Sequence, residues 1–117
     1  MLDGFIWKRV TYEKNLSMKE IESIFDTDTV RVRVMSLAPR EAAEWHYHSK
    51  VTDDITCLAG AILVRMKEPN EEIQLTPGKR CQIQARRVHQ LENLGDDEAS
   101  YLLAQGMGKY DFNRVSE

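Results

Sequence analysis

From Val30 to Leu37 the side chains alternate without interruption, Val30, Val32 and Val34 on one side and Arg31, Arg33 and Met35 on the other. That period of two is the signature of a β-strand. Similar runs of β-branched, aromatic and alternating residues predict strands at 5–12, 53–58, 61–68, 72–75, 80–84, 88–94 and 99–105, with extended backbone at 42–48. Pro39 stops the first strand named. Gly60, Pro69-Asn70, Thr76-Pro77-Gly78 and Gly95-Asp96-Asp97-Glu98 supply the later turns. One segment has a different period. Ser17-Met18-Lys19-Glu20 fits a capping box, and Ile21, Ile24 and Phe25 follow at helical spacing, so one short N-terminal helix is expected, ended by Asp26-Thr27-Asp28.

Many short strands at this spacing predict an all-β sandwich or barrel. With 117 residues the chain is long enough for a single core without a disulfide framework. The expected organisation is one domain over 1–117: an N-terminal strand and helix at 1–28, the barrel at 29–106 and a tail at 107–117. Tyr110 and Phe112 are available to dock that tail.

Composition narrows the partners. Sixteen basic and 19 acidic residues, well mixed, give a net charge of −3, which is no footprint for nucleic acid. The longest apolar run, 58–64, is far shorter than the ~20 residues of a membrane helix. The opening Met-Leu-Asp-Gly-Phe has no basic region leading into an apolar stretch, so no signal peptide is expected and the expected compartment is the cytoplasm. Cys57 and Cys81 then read as reduced thiols in strands.

The candidate chemistry lies in the histidines, of which the chain has three. In extended backbone both imidazoles of His46-Tyr47-His48 project from one face, about 7 Å apart along the strand. Aimed into an interior, they need partners for their ring nitrogens. A shared metal ion satisfies both; the plainer reading is two surface histidines on an edge strand. Further on, Asp53 opens the next strand, and His89 lies about forty residues beyond the first pair. Three histidines and one carboxylate can converge on one ion and leave positions open for water or substrate.

These residues resemble the two motifs of the cupin family. The first runs Gly, five residues, His-x-His, three or four residues, Glu, six residues, Gly; the corresponding positions here are Arg40, His46, His48, Asp53 and Gly60. The second runs Gly, five residues, Pro-x-Gly, two residues, His, three residues, Asn; the corresponding positions, at the same spacing, are Gly78, Gln84, Arg86, His89 and Asn93. Arg40 and Arg86 stand where the family has glycine, Gln84 where it has proline, and Asp53 where it has glutamate, one methylene longer. The resemblance covers roughly 30–105. It implies a jelly-roll double-stranded β-barrel and a metal held by His46, His48, His89 and Asp53, one divalent transition-metal ion drawn from Zn, Fe, Ni or Mn. It also implies a small-molecule ligand or substrate, and a homodimer that relieves the exposed sheet edges of so small a barrel.

Three further residues are candidates for a ligand pocket. Tyr101 and Gln105 share a face of the last long strand, which either lines the cavity or belongs to core or surface. Cys57 follows Asp53 on one face and reads more simply as a packed core thiol than as a ligand. Arg31 and Arg33 either contact an anionic ligand or, more simply, stand solvated or at a subunit contact on an outward strand face; Arg86 and Arg87 are expected in a surface turn, and Asp54 pointing away from Asp53. The function expected is that of a metal-binding cupin. It is either a small metalloenzyme (dioxygenase, isomerase or lyase) or a non-catalytic protein that binds a sugar or organic acid, and the family hosts both.

Overall fold

The computed structural model describes residues 18–116. Among these residues there are ten strands and no helix: β1 (Met18–Asp26), β2 (Val30–Leu37), β3 (His46–Tyr47), β4 (Thr52–Ala59), β5 (Ile62–Met66), β6 (Glu71–Leu75), β7 (Arg80–Ile83), β8 (His89–Asn93), β9 (Ala99–Gly106) and β10 (Asn113–Arg114). They form two five-stranded sheets, ordered β1-β2-β9-β4-β7 and β10-β3-β8-β5-β6. All pairings are antiparallel. The inner faces meet in a core built around Leu37, Ile55, Ile62, Val64, Leu91 and Tyr101. The all-β double-sheet expectation holds, and the seven strands expected between 30 and 105 are all present to within a residue or two at their ends. The strand expected at 5–12 lies outside the described residues.

The expected helix is a strand. β1 pairs with β2 along its whole length, from Met18 opposite Leu37 to Asp26 opposite Arg31. The register shifts twice, between Glu20 and Glu22 and between Ser23 and Phe25, so Ile21 and Ile24 are the extra residues of two β-bulges. Each bulge adds one residue to the period of two. Two bulges three residues apart thereby give the strand the spacing of an amphipathic helix.

The alternation in β2 is real, but its faces are the reverse of the expectation. Arg33, Met35 and Leu37 are buried between the sheets, while Val30, Val32 and Val34 lie half-buried on the other side. Pairing fixes this: β2 runs in register with β9, Met35 opposite Tyr101 and Leu37 opposite Ala99, and all four belong to the core. A shift by one residue would turn every one of these side chains over.

Three turns repeat one geometry. Glu41 N donates to Ala38 O, Lys79 N to Thr76 O and Arg87 N to Gln84 O, and the third residue of each turn, Arg40, Gly78 and Arg86, has a φ of 63°, 91° and 74°. A positive φ at that position defines a type II turn, whose natural occupant is glycine. Arg40 and Arg86 therefore stand in left-handed backbone at two of the four positions where the motifs have glycine. Asn93 closes the fold locally: its buried amide donates to the carbonyls of Leu37, Ala38 and Asp97 and accepts from Gly95 N.

Candidate metal centre

His46 and His89 sit directly opposite each other on β3 and β8, and His48 follows β3 on the same inward face. All three are buried, and their ligand atoms lie within 4.8 Å of one another. Each ring is oriented from behind by a main-chain carbonyl: His46 Nδ1 lies 2.7 Å from Glu44 O, His48 Nδ1 2.6 Å from Asp111 O, and His89 Nδ1 2.8 Å from Arg87 O. A carbonyl only accepts, so Nδ1 carries the proton in each. In the neutral ring Nε2 is then a bare lone pair.

The opposite sheet supplies the carboxylate. Asp53, buried on β4, places Oδ2 3.3 Å from both His48 Nε2 and His89 Nε2. Its Oδ1 accepts a 2.9 Å hydrogen bond from Gln105 Nε2 on β9. Gln105 Oε1 accepts in turn from Arg33 Nη2 at 2.7 Å, and Arg33 Nη1 lies 3.5 Å from Glu20. The chain Glu20–Arg33–Gln105–Asp53 thus ties the edge of the sheet to the histidines.

Charge within this cluster is strongly redistributed. Burial pushes the Asp53 carboxyl up, but His48 and His89 outweigh it and hold the group well below the usual carboxylate range. Burial, then the neighbouring His89, lowers His46 to about 4. Burial also works to lower His48, yet Asp53 and the Asp111 carbonyl prevail and its net shift is upward. Two lone pairs on nitrogen facing one carboxylate oxygen repel unless positive charge lies between them. His89 Nε2, buried, finds no hydrogen-bond partner among the described residues.

The residues fit a divalent ion. Atoms bound to one tetrahedral or octahedral ion at about 2.1 Å are about 3.0–3.4 Å apart, which matches the two separations from Asp53. Three neutral imidazoles and a carboxylate are the donor set that Zn, Fe, Ni and Mn accept.

The cluster opens into a cavity of about 80 Å³ between the sheets, lined also by Arg33, Met35, Tyr101, Leu103, Gln105, Tyr110 and Phe112. Tyr101 and Gln105, both expected near a pocket, are there. Cys57 is not: its thiol packs in the core against the carbonyls of Ala59 and Gly60. Asp54 faces outward and pairs with Arg80 and Gln82.

Arg33, for which the sequence leaves open contact with an anionic ligand but favours an outward face, belongs to the interior, which alternation alone does not reveal. The tail also builds the site: Phe112 stacks on His46 with centroids 4.3 Å apart, Tyr110 lies 5.3 Å from His48, and Asp111 holds both His48 and Ser49. The alternation of Tyr110 and Phe112 was the available signal.

A family model described as a cupin domain matches residues 33–104. No protein of curated description matches the sequence. Among solved structures, a Thermus thermophilus protein is 24% identical with a TM-score of 0.71, the alignment covering 92% of this chain and 97% of that one. A sugar phosphate isomerase of the cupin superfamily from Silicibacter pomeroyi is 17% identical with a TM-score of 0.67, covering 84% of this chain and 76% of that one. An oxalate oxidase is 18% identical with a TM-score of 0.69, covering 74% of this chain but 46% of that longer one. At these identities the likeness is one of fold.

Proposed function

The chain belongs to the cupin family, and from that premise we propose that it is a small metalloenzyme acting on a small organic molecule at a centre held by His46, His48, His89 and Asp53. The observation that carries this reading is the orientation of the three rings. Each Nδ1 is tied to a carbonyl, leaving each Nε2 free of its proton, and those of His48 and His89 lie on the side where Asp53 waits. A bound divalent ion would supply a Lewis acid or oxygen-activating centre in contact with the cavity. The protein's own part is to fix the ligands, exclude water with Phe112, Met35 and Leu103, and present Tyr101 and Arg33 to whatever enters.

Metal analysis of untagged protein tests this. Close to one transition-metal ion per chain is expected, and His48→Ala should lose it. Metal content near zero after reconstitution with Zn, Ni, Mn and Fe would refute the centre. One feature favours the non-catalytic alternative, binding of a sugar or organic acid: the obvious proton carrier, Asp53, is already engaged by Gln105 and two histidines. Turnover of no small-molecule substrate by fully metallated protein would favour it.

The reading extends to a homodimer in the cytoplasm. The dimer is supported by the position of β1 at the edge of its sheet among the described residues and by the exposure of Ile24 and Phe25, 52% and 57%. Light scattering that returns 13.5 kDa at micromolar concentration would refute the dimer.

A further inference from the structure

Two buried polar groups in the cavity wall have capacity that the protein does not use. Arg33 is 9% exposed and lines the cavity; its guanidinium bonds Gln105 and approaches Glu20, but Nε has no partner among the described residues. Tyr101, 1% exposed and two residues along the same face of β9 from Leu103, lines the same cavity, and among the described residues its hydroxyl has no partner either. Leaving such groups unsatisfied in an interior costs free energy, so they mark the place of something that satisfies them. Burial raises the Tyr101 hydroxyl well above its ordinary range, so it faces the cavity as a donor.

The charges point to what that is. Arg33 is a permanent cation, the three rings are held for metal binding, and Asp53 is the one fully buried carboxylate at the centre. Glu20, on the rim, is 43% exposed and is screened by water. With a dication held by the histidines, the cavity carries positive charge in excess, and an anion balances it. We propose that Arg33 and Tyr101 form an anion subsite beside the three-histidine centre, and that the molecule this cavity takes is a small carboxylate. One carboxylate oxygen is met by the guanidinium and the other by the phenol or the ion. The apolar walls, Met35, Leu91 and Leu103, limit the remainder to a short carbon skeleton. This rests on the metal reading above, because without the ion Asp53 already balances Arg33.

The test uses full-length protein loaded with Co(II), with lactate and its neutral amide lactamide as probes. Binding is followed by the visible spectrum of the ion and by calorimetry. Wild type should bind lactate and not lactamide. Arg33→Gln should weaken lactate about 10- to 100-fold, the loss expected for one charge-assisted hydrogen bond. Tyr101→Phe, which keeps the shape of the core, should weaken it about tenfold. Both variants should retain their cobalt. Wild type that holds no cobalt would overturn the metal reading and the subsite with it. Cobalt held normally, with lactate and lactamide bound alike or with lactate affinity unchanged in both variants, would overturn the subsite alone.

Discussion

Arg33 donates a 2.7 Å hydrogen bond to the side-chain oxygen of Gln105, and this contact decides which way the amide faces. A guanidinium can only donate, so Gln105 must turn its oxygen toward Arg33 and its NH2 toward Asp53. The 2.9 Å bond to Asp53 Oδ1 follows. A residue on β2 thereby sets the hydrogen bonding of a carboxylate on β4, through one side chain on the strand between them.

Gln105→Glu isolates that relay. The new carboxylate still accepts from Arg33, but it faces Asp53 with a second acceptor. Protein freed of metal by a chelator should lose about 1–3 kcal/mol of stability at pH 7, the cost of an unmatched buried polar pair. Part should return near pH 5, where the introduced carboxyl takes up a proton and can donate. Urea denaturation at the two pH values measures both effects; equal stability to wild type at pH 7 would disprove the relay.

Asp53 stands 3.3 Å from two ring nitrogens. If it ligates the ion, Asp53→Ala removes a charge from a dication and weakens metal affinity by about 10- to 100-fold or more. Asp53→Glu should retain most of the affinity. Competition with a chelating dye ranks the three proteins. Equal affinity in all of them would place Asp53 outside the coordination sphere.

In metal-free protein, His46 titrates near 4, chiefly because it is buried. Between that value and the ordinary one near 6.5 the unfolded chain binds a proton that the folded chain does not. Stability therefore falls as pH is lowered through this window, by up to about 1.4 kcal/mol per pH unit. His48, whose shift is upward, contributes in the opposite sense: its stabilisation is present at low pH and fades as pH rises through its folded-state value. Asp53, held low, adds stability above the ordinary carboxylate range that is lost on further acidification. Denaturation curves at pH 7, 6 and 5 should show the decline in wild type and its loss in His46→Gln. An unchanged slope in the variant would assign the decline elsewhere.

Positive φ at two positions predicts opposite outcomes. Arg86 holds a φ of 74° in a type II turn that glycine would occupy without strain. Arg86→Gly should stabilise by about 0.5–1 kcal/mol, the left-handed penalty less the entropy of a glycine in the unfolded chain. Gly60, at a φ of 86°, already is glycine, and a Cβ there would sit 2.9 Å from that of Ala99. Gly60→Ala should cost about 2–4 kcal/mol. Thermal melts of the two variants should move in opposite directions.

The sequence by itself determined the strands from β2 to β9, most of the turns between them and the four residues that gather at the centre. These features are local: a period of two carries His46 and His48 to one face, and proline and glycine mark where strands reverse. The family spacing fixes which distant histidine joins them. Tertiary structure decided three things. It made a strand of β1, because two bulges held by pairing with β2 gave its apolar residues a helical period. It chose the inner face of β2, where composition favoured the valines. Alternation defines two faces, but the register with β9 and a polar cavity needing Arg33 determine which one is interior. It also brought Tyr110, Asp111 and Phe112 back across sixty residues to seat the histidines, a closure that depends on long-range packing; the alternation of Tyr110 and Phe112 marks an extended tail but not where it docks.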